Sequence, residues 1–351
     1  MVTILFGFGE MRLNKILNSM LISCMNELAK MYYQKKIKVL SVIFLFVLII
    51  PTSIIVANTP LIYGQTNQSI ADNADLLGIQ DIPAKKVHVG DIDIAYKTFG
   101  KGDPILLING YSFTMDSWDS TLLGTLTSNR TVIVFDNRGI GNTSSGSEQK
   151  FSISLLANDT AGLLEALNIK KADVLAWSMG GRIAQELTLS YPYRVGKLIL
   201  YAIGCGGEGS VPQSQEVRSE FTNGTGTAED RIARLVPLFF PQEWRNENPN
   251  YLENIPKTTE TILNETLNKQ IEAAANAPST CDRLKDITQP TLVIVGTDDA
   301  ATPAPNSQRM AELIPGSWFV QIKGGGHGLM YQYPEQFSNI VKTFLENTNT
   351  P

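Results

Sequence analysis

From Lys85 onward, short apolar runs alternate with longer stretches whose apolar residues recur every third or fourth position. Residues 87–89 and 92–96 are short runs split by Gly90-Asp91, a hairpin signal. Residues 105–108 and 131–135 are continuous apolar runs, as expected of strands buried on both faces. Residues 118–126 read as a helix. So do 153–167, where Leu155, Leu156, Leu163, Leu164 and Leu167 fall at helical spacing. A strand at 172–177, a helix at 180–190 and a strand at 198–203 follow. Later come a strand at 292–295, a helix near 307–313, a strand at 318–322 and a closing helix at 334–345. Strands that alternate with helices predict an α/β fold, a mostly parallel sheet with helices on both faces.

Two regions break this rhythm. Residues 205–281 hold no convincing strand and several helical stretches. Inserted between two strands of the sheet, they read as a helical cap, which leaves 84–204 and 282–351 as the α/β core. The other region is the N-terminus. Residues 39–57 carry no charge, and Lys35, Lys36 and Lys38 stand just before them. This pattern suits either a signal peptide or a membrane anchor within residues 1–57, with the chain after it outside the membrane. Ile55-Val56-Ala57 offers a cleavage site near Ala57, and Pro51 interrupts the apolar run. Residues 1–30 lengthen the basic region beyond what a signal peptide needs, and translation from Met31 would remove them. Residues 58–83 are polar and turn-rich and read as a linker. The expectation is an exported protein, secreted after cleavage or anchored with the domain outside.

Composition narrows the chemistry. The chain has 351 residues, and the part beyond the linker, about 270 residues, suits one large α/β domain. A net charge of −5 and the lack of a basic run beyond residue 40 argue against nucleic acid as a partner. Three cysteines, with no CxxC pair and no histidine cluster, argue against a metal site. No cofactor-binding motif stands out. Only two histidines occur, His88 and His327, so a mechanism that needs a histidine base must use one of them. His88 lies in the first strand and reads as structural or exposed.

The candidate chemistry lies in the loops. Ala176-Trp177-Ser178-Met179-Gly180-Gly181 joins a buried strand to a helix. A serine there turns the chain sharply and stands above the sheet edge, with small residues two before and two after to avoid a clash. A serine hydroxyl needs a base. His327, in Gly324-Gly325-Gly326-His327-Gly328 after the last strand, is the candidate. Its imidazole needs a carboxylate, and Gly296-Thr297-Asp298-Asp299-Ala300-Ala301-Thr302-Pro303 supplies two.

These motifs together resemble the α/β-hydrolase superfamily, with its eight-stranded sheet and the chain order Ser178, then acid, then His327. The usual G-x-S-x-G elbow here has Ala176 for its first glycine. The superfamily spacing, with the acid three residues after a glycine and four before a proline, selects Asp299 over Asp298. It also implies an oxyanion hole made by the backbone N–H groups of Met179 and Tyr111. The latter lies in Asn109-Gly110-Tyr111-Ser112, where Asn109 replaces the usual histidine. Asp136-Asn137-Arg138-Gly139-Ile140-Gly141 resembles a structural turn of the superfamily, with Arg138 tying loops together.

The resemblance implies a serine hydrolase acting on a small acyl substrate, a carboxylic ester or a relative of one, through an acyl-enzyme. Serine at the elbow disfavours the epoxide hydrolases and haloalkane dehalogenases, which carry aspartate there. Two alternatives stay open. One is a non-catalytic binding module on the same fold. The other is perhydrolase or haloperoxidase-like activity. The apolar cluster 235–244 would cover the pocket or pack the cap onto the sheet. Cys205 and Cys281 bracket the cap and are either bridged or two buried thiols.

Overall fold

The computed structural model describes residues 79–256 and 262–348. The charge-free segment 39–57, the alternative start at Met31 and most of the expected linker lie outside these residues. The last part of that linker forms a 3-10 turn at Ile79–Asp81, where Ile79 O accepts from Lys97 Nζ and the Ile79 side chain packs against the core.

Eight strands form one sheet: β1 (Lys85–Val89), β2 (Ile92–Gly100), β3 (Asp103–Ile108), β4 (Arg130–Phe135), β5 (Ala172–Trp177), β6 (Val195–Tyr201), β7 (Thr291–Gly296) and β8 (Trp318–Ile322). Their order is β1-β2-β4-β3-β5-β6-β7-β8. Only the β1–β2 and β2–β4 pairings are antiparallel. The two-residue turn between β1 and β2 places Gly90 at φ 58°, which glycine adopts without strain.

The central strands are apolar without alternation because helices cover both faces. β7 is buried along its whole length, and Ile105 to Ile108 of β3 are inaccessible. The core helices are α1 (Ser120–Thr127), α2 (Ile153–Ala166) and α3 (Met179–Ser190). Asp119 caps α1 by accepting from Leu122 N–H at 2.9 Å, and Ser152 caps α2 by accepting from Leu155 N–H at 3.0 Å. After β6, Ala202 takes φ 54°, so the strand ends at Tyr201, two residues before the apolar run itself ends.

Between β6 and β7 stand α4 (Gln215–Thr222), α5 (Ala228–Leu235), a 3-10 segment at Val236–Phe239, α6 (Gln242–Glu247) and α7 (Asn264–Ala275). At the base of this excursion Cys205 and Cys281 are disulfide-bonded, with their Cα atoms 5.0 Å apart. α8 (Ala304–Leu313), α9 (Leu329–Gln332) and α10 (Pro334–Glu346) complete the core. The short α9, directly after His327, has no signal in the periodicity because it is a single turn. Among the described residues no helix is long and apolar enough to cross a membrane.

Candidate active site

The strand-to-helix turn from β5 to α3 holds Ser178 at φ 54°, ψ −125°, a conformation costly for a residue with a side chain. Packing enforces it. A Cβ on Gly180 would lie 2.3 Å from Ile108 O, and one on Gly181 would lie 2.4 Å from Ile203 Cγ2. A Cβ on Gly110 would lie 3.0 Å from Ser178 Cβ. The glycines therefore let α3, β3 and the β3 loop close around the serine.

His327 is buried, in the loop between β8 and α9. Its Nδ1 lies 2.9 Å from Oδ2 and 3.1 Å from Oδ1 of Asp299, which is also buried. Thr302 N–H donates to Asp299 Oδ1 at 2.6 Å, fixing the carboxylate from its own loop. Asp298 points elsewhere: it is exposed and accepts from Thr297 Oγ1 at 2.6 Å. With Nδ1 committed to Asp299, Nε2 is the nitrogen free for other chemistry. The His327 carbonyl accepts from Trp177 Nε1 at 3.1 Å and from Tyr201 Oη at 2.5 Å. Burial holds the Tyr201 phenol well above its ordinary pKa, so it stays a donor.

Ser178, His327, Tyr111 and Met179 line one cavity of about 410 Å³, together with Arg182 of α3 and Phe221 of α4. Among the described residues Ser178 Oγ forms no hydrogen bond with the imidazole. The Ser112 N–H is occupied, donating to Gln270 Oε1 at 3.1 Å, whereas among the described residues no acceptor takes the Tyr111 N–H. Tyr111 Oη accepts from Arg231 Nη2 at 2.8 Å.

The remaining candidates have other places. Asn109 is buried, and its Nδ2 donates to Thr114 O at 2.6 Å, which shapes the β3 loop. Arg138 donates to both oxygens of Asp159, at 2.8 and 2.6 Å, and pairs with Asp91 at 2.8 Å, tying its loop to α2 and to the β1–β2 turn. His88 is exposed and pairs with Asp93 at 2.9 Å, on β1 and β2. Among the described residues no cluster of metal-binding side chains occurs.

Of the cap residues that touch the site, Phe239 belongs to the apolar cluster 235–244, whereas Arg231 and Gln270 carry no sequence signal. Phe239 lies 5.1 Å from the His327 ring between centroids, and its carbonyl accepts from Gly328 N–H at 2.8 Å. A Cβ on Gly326 would lie 2.4 Å from that same carbonyl. The apolar cluster thus packs directly on the histidine loop. Arg231 and Gln270 reach the β3 loop across sequence separations of 120 and 158 residues.

The family model of the alpha/beta hydrolase fold matches residues 103–334. The chain belongs to the α/β-hydrolase family. Among its relatives in that family is a protein named carbamate hydrolase RutD from Azorhizobium caulinodans, 31% identical over 73% of this chain and 96% of the relative. Another is a protein named non-heme bromoperoxidase BpoC from Mycobacterium tuberculosis, 27% identical over 72% of this chain and 98% of the relative. Among solved α/β-hydrolase structures, a thermophilic esterase from Thermogutta terrifontis, determined with malate bound, superposes with a TM-score of 0.63. It is 26% identical, covering 75% of this chain and 98% of the esterase.

Proposed function

We propose that this α/β-hydrolase is a serine hydrolase that cleaves a carboxylic ester or related acyl compound through an acyl-enzyme. The observation that carries the reading is the shared cavity. It joins a serine held at positive φ to a histidine whose Nδ1 is fixed by a buried carboxylate. Ser178 Oγ attacks the acyl carbonyl while His327 Nε2 takes its proton. Asp299 keeps the imidazole in the required tautomer and stabilises its charged form. The oxyanion rests on the N–H groups of Met179 and Tyr111, each donor worth roughly 3 kcal/mol of barrier. His327 then hands the proton to the leaving group, and in the second half takes one from water as that water attacks the acyl-enzyme. The same steps serve an ester, thioester, lactone or carbamate. RutD is named for the last of these.

A fluorophosphonate probe tests the reading on the domain in its full chain. The parent labels, and Ser178→Ala does not. A folded parent that never labels would leave the non-catalytic binding module as the better account. The likeness to BpoC favours one second reading, perhydrolysis, in which hydrogen peroxide replaces water against the acyl-enzyme. Peracid formation from acetate and peroxide measures it.

Export is part of the proposal. It is supported by the charge-free run 39–57 behind three lysines and by the Cys205–Cys281 bridge, since such bridges persist in oxidising compartments. Cell fractionation with N-terminal sequencing distinguishes an anchored chain from one cleaved near Ala57.

A further inference from the structure

Arg182 stands one helical turn after Ser178 on α3 and lines the same cavity. It is only 9% exposed. Nη2 donates to Pro278 O at 2.5 Å, but its Nε is buried and without a partner among the described residues. Among the described residues no carboxylate hydrogen-bonds to it, and Glu186, one turn further along α3, acts on it only through its charge. The neighbouring Glu186 is committed to Arg283, at 2.6 and 3.2 Å. A guanidinium has five N–H donors and does not give up its charge, so a buried one with no carboxylate hydrogen-bonded to it is costly to keep. Holding Pro278 at the base of the cap would need one donor and no charge.

A second arginine, Arg218 of α4, also lines the cavity. It is exposed and makes no ion pair among the described residues. No aspartate or glutamate lines the cavity among the described residues, and the Asp299 carboxylate is turned onto His327. The chain as a whole is acidic, at −5. Two arginines and no acid around one reactive serine therefore run against the general composition. A guanidinium edge matches a carboxylate with two parallel N–H···O bonds. A phosphate dianion would bring a second negative charge into a wall with one buried cation.

Resting on the serine-hydrolase reading, we propose that the substrate of this site is an acyl compound with a free carboxylate. Arg182 binds that carboxylate, and Arg218 at the exposed side draws it in. The rest of the cavity suits a short aliphatic chain between the two functional groups, with Phe221, Ile271 and Ile203 as apolar wall.

The test compares monomethyl esters of succinic, glutaric and adipic acid with methyl esters of the monocarboxylic acids of equal carbon count. Acid release is followed by titration at constant pH. The readout is the ratio of kcat/KM, acidic over neutral, for the best pair. A variant that is partly misfolded loses both rates together and leaves the ratio alone. The parent should prefer an acidic ester by about tenfold or more, the range of a charge-assisted hydrogen bond. Arg182→Gln keeps a donor for Pro278 and should lower that ratio by about tenfold. Arg218→Gln, at an exposed position, should lower it about twofold to threefold, more at low salt than at high. A parent without preference for any of the three acidic esters overturns the proposal, as does a preference that survives Arg182→Gln. If neutral esters are cleaved and the fluorophosphonate labels Ser178, only the carboxylate proposal falls. If neither ester is cleaved and the probe does not label, the serine-hydrolase reading falls and takes the proposal with it.

Discussion

The loops at the ends of β5, β7 and β8 and the excursion between β6 and β7 are built on different principles. In the loops after β5 and β7 the candidate nucleophile and acid are set by residues close to them in the chain. Ser178 is held by the glycines around it and Asp299 by Thr302, after β5, buried except at Asp173, and β7, buried throughout, respectively. In the cap almost nothing is local. Arg231, Gln270 and Phe239 act on the β3 and β8 loops through contacts that cross large stretches of chain. The candidate reacting groups thus stand at the ends of sheet strands, while the β3 loop, which carries Tyr111, and the β8 loop, which carries His327, are braced by the cap.

The largest effect that could break this division is loss of a reacting group. His327→Ala and Asp299→Asn should each lower kcat by roughly four orders of magnitude, with thermal stability nearly kept. Steady-state kinetics beside a melting curve checks it. A mild effect from either would move the chemistry away from the sheet loops.

Removing the bridge tests the cap as a unit. Cys205→Ala with Cys281→Ala opens a closed loop with a sequence separation of 76. Chain entropy puts the loss at about 4 kcal/mol. Urea unfolding followed by circular dichroism should show an earlier transition confined to the cap. One cooperative transition, shifted as a whole, would mean that cap and core fold as a single unit.

A smaller effect is expected from Arg231→Ala, which frees the Tyr111 hydroxyl from the cap. It should lower kcat about tenfold and change KM less, because the Tyr111 N–H is then less well aimed. An unchanged kcat would show that the β3 loop holds itself.

The smallest concerns the core alone. The Ser147 backbone N–H, and after it Arg138, hold the Asp91 carboxyl down at about 2, below its ordinary 3.8. A depressed pKa gives stability that is present above the unfolded value and is lost as pH falls toward the folded one. Asp91→Asn should therefore melt lower than the parent at neutral pH, and the gap should narrow between pH 3.8 and about 2. Melting curves across that range report it.

The same division explains what could be read from the chain. The strands, α3 and the loop positions of Ser178 and His327 were legible because steric rules act over a few residues. Ala176 in place of glycine did not obscure the elbow, since the buried strand and the two glycines after the serine carry the same constraint. Asp298 and Asp299 differ by one position and by nothing in composition. Family spacing separates them in sequence, and in space it is Asp299 that meets the imidazole. The Arg231–Tyr111 and Gln270–Ser112 contacts were not legible, because no periodicity links residues so far apart. Arg182 lies inside the 180–190 helix, where no motif marks it, and only its burial with an unpartnered Nε distinguishes it.

The bridge at the foot of the cap also has a meaning for anyone who would rebuild the protein. β6 and β7 are adjacent parallel strands, and the chain that leaves one and returns to the other is stapled where its ends meet, 5.0 Å apart. The strands therefore meet the segment between the cysteines as two fixed stubs, while its side chains brace the β3 and β8 loops. A graft that keeps Cys205 and Cys281 can change length and sequence in between without asking the strands to shift register. The staple marks this segment as the part of the pocket wall that can vary while the strands keep their register.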